Sequence, residues 1–353
     1  MTKKLRVLVI DDSAMAREIL TRGLSLDPDI EVVGTASNPY MARDKILELH
    51  PDVLTLDVEM PRMDGVEFLQ RLMPQYPLPV LMVSSLTQRG AEVTLKALEA
   101  GAVDFVAKPG IDVARGLNDT LAELRAKVKM AARVNVSHWK KDGYRPAPAA
   151  ANVAKTTVFN TTDKVIAIGA STGGTEAIRH ILKQLPADIP GVVIVQHMPP
   201  GFTSMFAKGL DEQCVLSVKE AENGDRVMPG HVLIAPGDFH MTVRRSGGMY
   251  VVDCKQGEKV CGHRPSVEVM FQSVAKSAGA NAIGIILTGM GSDGADGLLA
   301  MRQTGARTIA QDEATSVVFG MPKVAYARGG ADVVLPLPAM AGKVLGLLAE
   351  SNA

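Results

Sequence analysis

Short apolar and β-branched runs recur along the first third of the chain, at residues 6–10, 30–36, 53–56, 80–83 and 103–107. Runs of this length, bounded by polar and turn residues, predict buried strands. Between them apolar positions recur at helical spacing near residues 14–25, 39–49, 65–73, 88–100 and 113–130. Strand and helix in strict alternation predict a doubly wound α/β parallel sheet, with ligands at the strands' carboxyl ends.

The alternation resumes past residue 160. In "VIAIGASTGGTEAIRHIL" (165–182) a β-branched run gives way to a helical period carrying Ile178, Ile181, Leu182 and then Leu185. "GVVIVQHMPP" is a strand run broken by two prolines, and "NAIGIILTGMGSDGADGLLAMRQTG" is strand, glycine loop and helix. "ENGDRVMPGHVLIAPGDFHM" and "MYVVDCK" read as short hairpins, with turns at Gly224, Pro229-Gly230, Gly237 and Gly247-Gly248. The expected second fold is therefore α/β too, a mainly parallel sheet with an antiparallel hairpin region. Between the two patterned regions the chain is basic, then Pro/Ala-rich, a helix trailing into a linker. The expected organisation is a first domain over 1–125, a linker over 126–159 and a second domain over 160–353.

Composition narrows the function classes. The formal net charge is zero over 353 residues, which argues against a general nucleic-acid binder. No apolar run approaches the roughly 18 residues of a spanning helix, so no membrane insertion is expected. Acids end the short apolar run of "MTKKLRVLVIDD", unlike a signal peptide. Three cysteines, Cys214, Cys254 and Cys261, form an odd and sparse set that suits a reducing cytoplasm. Cys254, Cys261 and His263 match no zinc spacing.

Chemistry gathers where the strands end. Asp11 and Asp12 follow the first strand, Asp57 ends "VLTLD", Ser84 follows "VLMV" and Lys108-Pro109 follows "DFVA". Carboxylates at one sheet edge repel unless a cation joins them, and hard oxygen ligands suit Mg²⁺. An aspartate can itself attack phosphorus, and a lysine and a hydroxyl can hold the phosphoryl group. "DDS", "DVEMPRMDG", Ser84 and Lys108-Pro109, in that order, resemble the two-component receiver domain over residues 5 to about 125, which implies a flavodoxin-like sheet. That resemblance implies Asp57 as phosphoacceptor, Ser84 and Lys108 as phosphoryl contacts, and Mg²⁺ on Asp12 and Asp57, with Asp11 nearby and the Glu59 carbonyl as a further ligand.

The loop Gly169-Ala170-Ser171-Thr172-Gly173-Gly174 admits several readings. Thr175 and Glu176 stand where a Walker loop needs Lys and Ser/Thr, and Ser171 occupies the middle glycine of a dinucleotide loop. G-x-S-x-G on a strand–turn–helix fits a nucleophile elbow; the plain alternative is a turn in which Ser171 or Thr172 caps the helix. A nucleophile needs a base and an orienting acid. His197 and Asp293 each follow a strand run of the same sheet, whereas Asp296 sits closer to a helix. A rival set joins Asp225, Asp238 or Asp253 to His240 or His263, all within or beside the hairpin region. Ser266, after Pro265, reads as a helix cap with no chemical role.

"IGASTGG", "VQHMPPGFT", "IAPGDFHM", "HRPSVEVMF" and "ILTGMGSDGADGL" resemble the catalytic domain of the chemotaxis protein-glutamate methylesterases, over about 160–350. The resemblance implies Ser171 as nucleophile, His197 as base and Asp293 as orienting acid, with the Met290 amide or the elbow's own amides receiving the oxyanion. It implies hydrolysis of glutamate methyl esters on cytoplasmic helices of chemoreceptors, without a cofactor, and deamidation of receptor glutamines. It further implies a chemotaxis histidine kinase as phosphodonor, and an unphosphorylated receiver that packs over the esterase cleft until Asp57 is phosphorylated. A DNA-binding output would need a basic recognition element, and 160–353 shows no such cluster. An esterase serving another signalling array is the third class, which only the identity of the demethylated protein separates.

Overall fold

The structure, a computed structural model, describes residues 3–85, 87–108, 114–137 and 163–350. Pro109 and most of the expected linker, 138–159, lie outside the described residues. The chain divides into two compact units between residues 148 and 149.

In the first unit, β1 (Leu5–Ile10), α1 (Ala14–Ser25), β2 (Ile30–Ala36), α2 (Pro39–Leu49), β3 (Val53–Asp57), α3 (Gly65–Gln75), β4 (Val80–Ser84), α4 (Gln88–Glu99), β5 (Asp104–Ala107) and α5 (Ala114–Ala131) alternate as the pattern predicts. The strands form one parallel sheet in the order β2-β1-β3-β4-β5. Strands β3 and β4 are buried throughout, which is why VLMV of β4 is unbroken and VLTL of β3 is interrupted only by Thr55, rather than alternating apolar and polar. Side chains of Ser13, Asn38, Asp64 and Thr87 accept from first-turn amides and start the first four helices. The strand order reverses between β1 and β3, and the crevice there opens at the ends of both strands.

The second unit contains β6 (Val165–Ala170), α6 (Gly174–Leu182), β7 (Gly191–Gln196), α7 (Phe202–Asp211), β8 (Ser217–Glu220), β9 (Arg226–Val227), β10 (His231–Ile234), β11 (His240–Ser246), β12 (Met249–Lys255), α8 (Val267–Ala278), β13 (Ala282–Ile286), α9 (Ala295–Gln303), β14 (Arg307–Gln311), α10 (Met321–Ala327), β15 (Val333–Leu335) and α11 (Leu337–Glu350). Seven strands form a parallel sheet in the order β15-β14-β13-β6-β7-β10-β8. Strands β11 and β12 form the expected hairpin around Gly247-Gly248, with β9 antiparallel to β12. One detail departs from expectation. His231–Ile234 leaves the hairpin region and enters the parallel sheet between β7 and β8. Its run "HVLI" carries three buried apolar residues in succession, a signature of a strand covered on both faces.

Helix α8 packs Met270, Phe271 and Val274 into the core shared by hairpin and sheet. It approaches β6 very closely. A Cβ at Gly169 would stand 2.2 Å from Val267 Cγ1, so only glycine lets the first turn of α8 rest on the end of that strand. The strand order turns back at β6, between β13 and β7, and the loops after all three strands open on one edge.

Candidate active site

In the first unit Asp11, Asp12 and Asp57 meet at the crevice, with one carboxylate oxygen of each within 4.8 Å of the others. Asp11 and Asp57 are buried and Asp12 is exposed. Lys108 Nζ lies 2.8 Å from Asp57 Oδ2 and 3.0 Å from Asp11 Oδ2. Burial pushes the Asp57 carboxyl up to about 6; Lys108 opposes this, and the Asp11 charge reinforces it. Burial pulls Lys108 the other way, but its two carboxylate partners hold it above its ordinary value. Asp11 Oδ2 accepts no properly directed hydrogen bond. A crowded anionic site with an unsaturated oxygen fits a divalent cation. The Glu59 amide donates to Asp57 Oδ1 at 3.3 Å, which turns that loop around the carboxylate. Ser84 Oγ is not hydrogen-bonded to Asp57; its proton is shared between the Ser85 carbonyl, just past β4, and the Gly90 carbonyl in the first turn of α4.

In the second unit the site is built on the sheet ladder. Ala170 pairs with Gln196, and the His197 amide donates to the Ala170 carbonyl at 3.2 Å. One residue beyond that pair, Ser171 and His197 leave the ladder side by side. Gln196 Nε2 donates to the Ser171 carbonyl at 2.9 Å and ties the two ends together. The helix after Ser171 starts at Gly173, whose φ of 76° suits glycine, and no side chain caps it. Neither Ser171 nor Thr172 is therefore the cap that the plain reading of the loop required. Ser171 is bracketed by backbone on its other side too, since its amide donates to the Thr288 carbonyl at 3.0 Å.

Asp293 follows β13 and is 1% exposed. Its Oδ2 lies 2.7 Å from His197 Nε2 and accepts from the Val267 amide at 2.7 Å. Its Oδ1 accepts from Ser266 Oγ at 2.7 Å and from the Glu268 amide at 3.0 Å. Burial disfavours the charged carboxyl, but the partnership with His197, the Glu268 amide and the Ser266 hydroxyl together hold it below the usual carboxylate range. His197 thus spends Nε2 on the acid. Its Nδ1 is buried and has no hydrogen-bond partner among the described residues.

The loop between β13 and α9 also carries Met290, whose side chain is exposed and whose amide meets no acceptor among the described residues. The loop is anchored from below. Thr288 Oγ1 donates to the Thr172 carbonyl at 2.9 Å, and the buried Gln311 accepts from the Thr288 amide at 2.8 Å. Of the elbow's own amides, that of Ser171 is already committed to Thr288 and is not a spare donor.

The rival residues other than His263 are engaged elsewhere. Asp225 pairs with Lys219, Asp238 with Arg264 and Asp253 with Arg244, while His240 Nε2 meets the Glu258 carbonyl. Asp296 pairs with Arg328 at the surface. Two residues make contacts that their reading from sequence, His263 as a rival base and Ser266 as a cap without a chemical role, does not anticipate. His263 stacks on His197, ring centroids 3.7 Å apart and planes 13° from parallel. Ser266 is the cap expected, yet it also donates to Asp293. Both contacts join positions tens of residues apart, which no local pattern signals.

Residues 166–344 match the family described as CheB methylesterase, and residues 7–116 match the response regulator receiver domain. A protein of Syntrophotalea carbinolica named protein-glutamate methylesterase/protein-glutamine glutaminase is 65% identical over 350 residues, covering 99% of each chain. One of Sulfurimonas denitrificans with the same name is 55% identical over 98% of this chain and 99% of its own. Among solved structures, the Thermotoga maritima CheB methylesterase catalytic domain is 41% identical and covers 53% of this chain and all of its own, with a TM-score of 0.52.

Proposed function

The chain belongs to the CheB methylesterase family, and from that premise we propose that it hydrolyses glutamate methyl esters on chemoreceptors and deamidates receptor glutamines, under control of receiver phosphorylation, in chemotactic adaptation. Ser171 is the nucleophile, His197 the base and Asp293 the orienting acid. The observation that carries this reading is the 2.7 Å contact of His197 Nε2 with Asp293, which leaves Nδ1 unpartnered on a residue that leaves the sheet ladder next to Ser171.

Ser171 Oγ attacks the ester carbonyl carbon while His197 Nδ1 takes its proton. Asp293 stabilises the imidazolium that forms. The developing oxyanion meets the Met290 amide, a donor of this loop that has no acceptor among the described residues. Collapse breaks the carbon–oxygen bond to the methoxy group, His197 returns the proton, and methanol leaves. Water then enters with His197 again as base, and the acyl-enzyme yields glutamate and free Ser171. With a glutamine side chain the leaving group is ammonia. The reaction draws on protein groups alone.

In the receiver, Asp57 is the phosphoacceptor and Lys108 and Ser84 hold the phosphoryl oxygens, with a chemotaxis sensor histidine kinase as donor. Asp11, Asp12, Asp57 and the Glu59 carbonyl would hold Mg²⁺, which when bound offsets repulsion between the carboxylates and the incoming phosphoryl group. Ser84 has a single hydroxyl proton, so it donates to a phosphoryl oxygen only by turning that proton away from both backbone carbonyls. No helix among the described residues is long and apolar enough to cross a membrane. With its sparse unpaired cysteines, the chain suits a cytoplasmic setting, where receptor signalling helices are reached.

The test is methanol release from methyl-labelled receptors. Ser171→Ala is expected to fold and to lose about 10⁴-fold or more in rate. A variant retaining activity within tenfold of the parent would remove Ser171 from its role.

A further inference from the structure

The segment "HRPSVE", residues 263–268, belongs to neither the elbow nor the three loops that carry Ser171, His197 and Asp293. Yet it touches two of those three groups. The His263 ring lies flat on the His197 ring at 3.7 Å. Three positions on, Ser266 is completely buried and its hydroxyl donates to Asp293 Oδ1. The next two amides, of Val267 and Glu268, donate to the two oxygens of the same carboxylate. Val267 in turn is wedged against Gly169 and Gly294, so the segment is fixed to β6 and to the start of α9.

We propose that residues 263–268 form a positioning brace, in which His263 fixes the plane of the base and Ser266 fixes the rotation and charge of the acid. This rests on the assignment of His197 and Asp293 as base and acid. A carboxylate with one partner can rotate about its last bond; one held by four donors at two oxygens cannot. An imidazole hinged only at Nε2 can swing its Nδ1 away from the serine, whereas a ring clamped face to face keeps it in plane. Ser266 and His263 act through their contacts with Asp293 and His197, so they are positioning residues.

The brace sets a direction for the pH profile. Without the Ser266 hydroxyl, Asp293 loses a donor and becomes more basic. It then holds the His197 proton more tightly, and the imidazolium persists to higher pH. Since the reaction needs neutral His197, the acid limb of kcat/KM moves upward. The other titratable groups around the pair are His263, Cys261, Glu268 and Asp296. All four are unchanged in Ser266 variants and cannot supply a difference between them.

The experiment measures kcat/KM against pH for methanol release by the full chain, with Mg²⁺ and a small phosphodonor. Ser266→Ala and Ser266→Gly are expected to lose about tenfold or more and to move the acid limb up. Glycine is nearly as good a helix cap as serine, so Ser266→Gly separates the cap from the hydroxyl. Ser266→Thr is expected to restore both rate and limb. His263→Ala is expected to lower kcat/KM and His263→Phe, which keeps the stack, to restore it. An acid limb unmoved in Ser266→Gly, or a His263→Phe as slow as His263→Ala, overturns the brace. Asp293→Asn run in parallel separates the two ideas. If it stays within tenfold of the parent, the underlying assignment has failed; if it is inactive while the Ser266 and His263 variants behave as the parent, only the brace has.

Discussion

Asp57 is held in a form its surroundings disfavour. Its carboxyl ionises at about 6 in the folded receiver against 3.8 in an open chain, burial being the largest cause. A carboxyl raised in this way favours the folded state only while protonated. That contribution is complete below about pH 4 and is lost as pH rises through 6. In a chelating buffer, Asp57→Asn is therefore expected to raise the receiver's unfolding temperature at pH 7.5. The gain should shrink as the pH falls below 6 and vanish near 4. A gain independent of pH would mean that packing, not ionisation, separates Asn from Asp. At this scale the sequence is a partial guide. It assembles Asp11, Asp12, Asp57 and Lys108 because each directly follows or ends a strand, and strand ends converge in a parallel sheet. It does not reveal that Ser84 is occupied by the backbone of α4, or that Ser266 serves Asp293 across 27 positions. A hydroxyl has the same local signature whether it caps a helix, braces an acid or does both.

The strands were legible because burial on both faces of a parallel sheet demands unbroken apolar runs, and few other structures do. The contacts made by the antiparallel region were not, because turn residues mark where a chain reverses and say nothing of its next neighbour. Strand β10 shows the difference: turns at Pro229-Gly230 and Gly237 flank it as they would a hairpin arm, yet its three buried residues belong to the central sheet. The same limit hid α8, whose apolar face is readable while its resting place on β6 is not. That contact gives a prediction with opposite signs at two glycines. Gly169→Ala drives a methyl into Val267 and is expected to cost about 1–3 kcal/mol through overpacking. Because α8 would shift with it, esterase activity should fall as well. Gly342→Ala, in α11 with nothing within 4 Å of the added methyl, is expected to be neutral or to stabilise by up to about 1 kcal/mol. Thermal unfolding read beside methanol release checks both. Equal and small effects at the two sites would mean that α8 does not depend on close approach to β6.

At the scale of the whole molecule, one unit offers a phosphoacceptor and the other an esterase, and control requires an energetic link between them. Such a link exists only if phosphorylation changes the relative stability of at least two states of the chain that differ in esterase competence. Two designs are open to it. The receiver restrains the esterase until phosphorylated, or it delivers the enzyme to its substrate. Family resemblance favours restraint, and truncation separates the designs because it removes the receiver altogether. The fragment 146–353 keeps the seven-stranded sheet, the hairpin region and their shared core. A solved catalytic domain of Thermotoga maritima, 41% identical and standing alone, argues that such a fragment folds. Under restraint, the fragment exceeds the unphosphorylated parent, and Mg²⁺ with a small phosphodonor raises the parent toward it. Asp57→Asn then abolishes the phosphodonor effect and leaves the fragment as it was. Under delivery, the fragment is slower than the parent on intact receptors. Initial rates of methanol release from the same receptor membranes, at matched enzyme concentration, decide between the two. A fragment slower than the unphosphorylated parent rejects restraint, and a phosphodonor effect that survives Asp57→Asn moves the phosphorylation site elsewhere. The link need not be strong, since tenfold activation corresponds to only about 1.4 kcal/mol, within reach of a few contacts that one phosphoryl group makes or breaks.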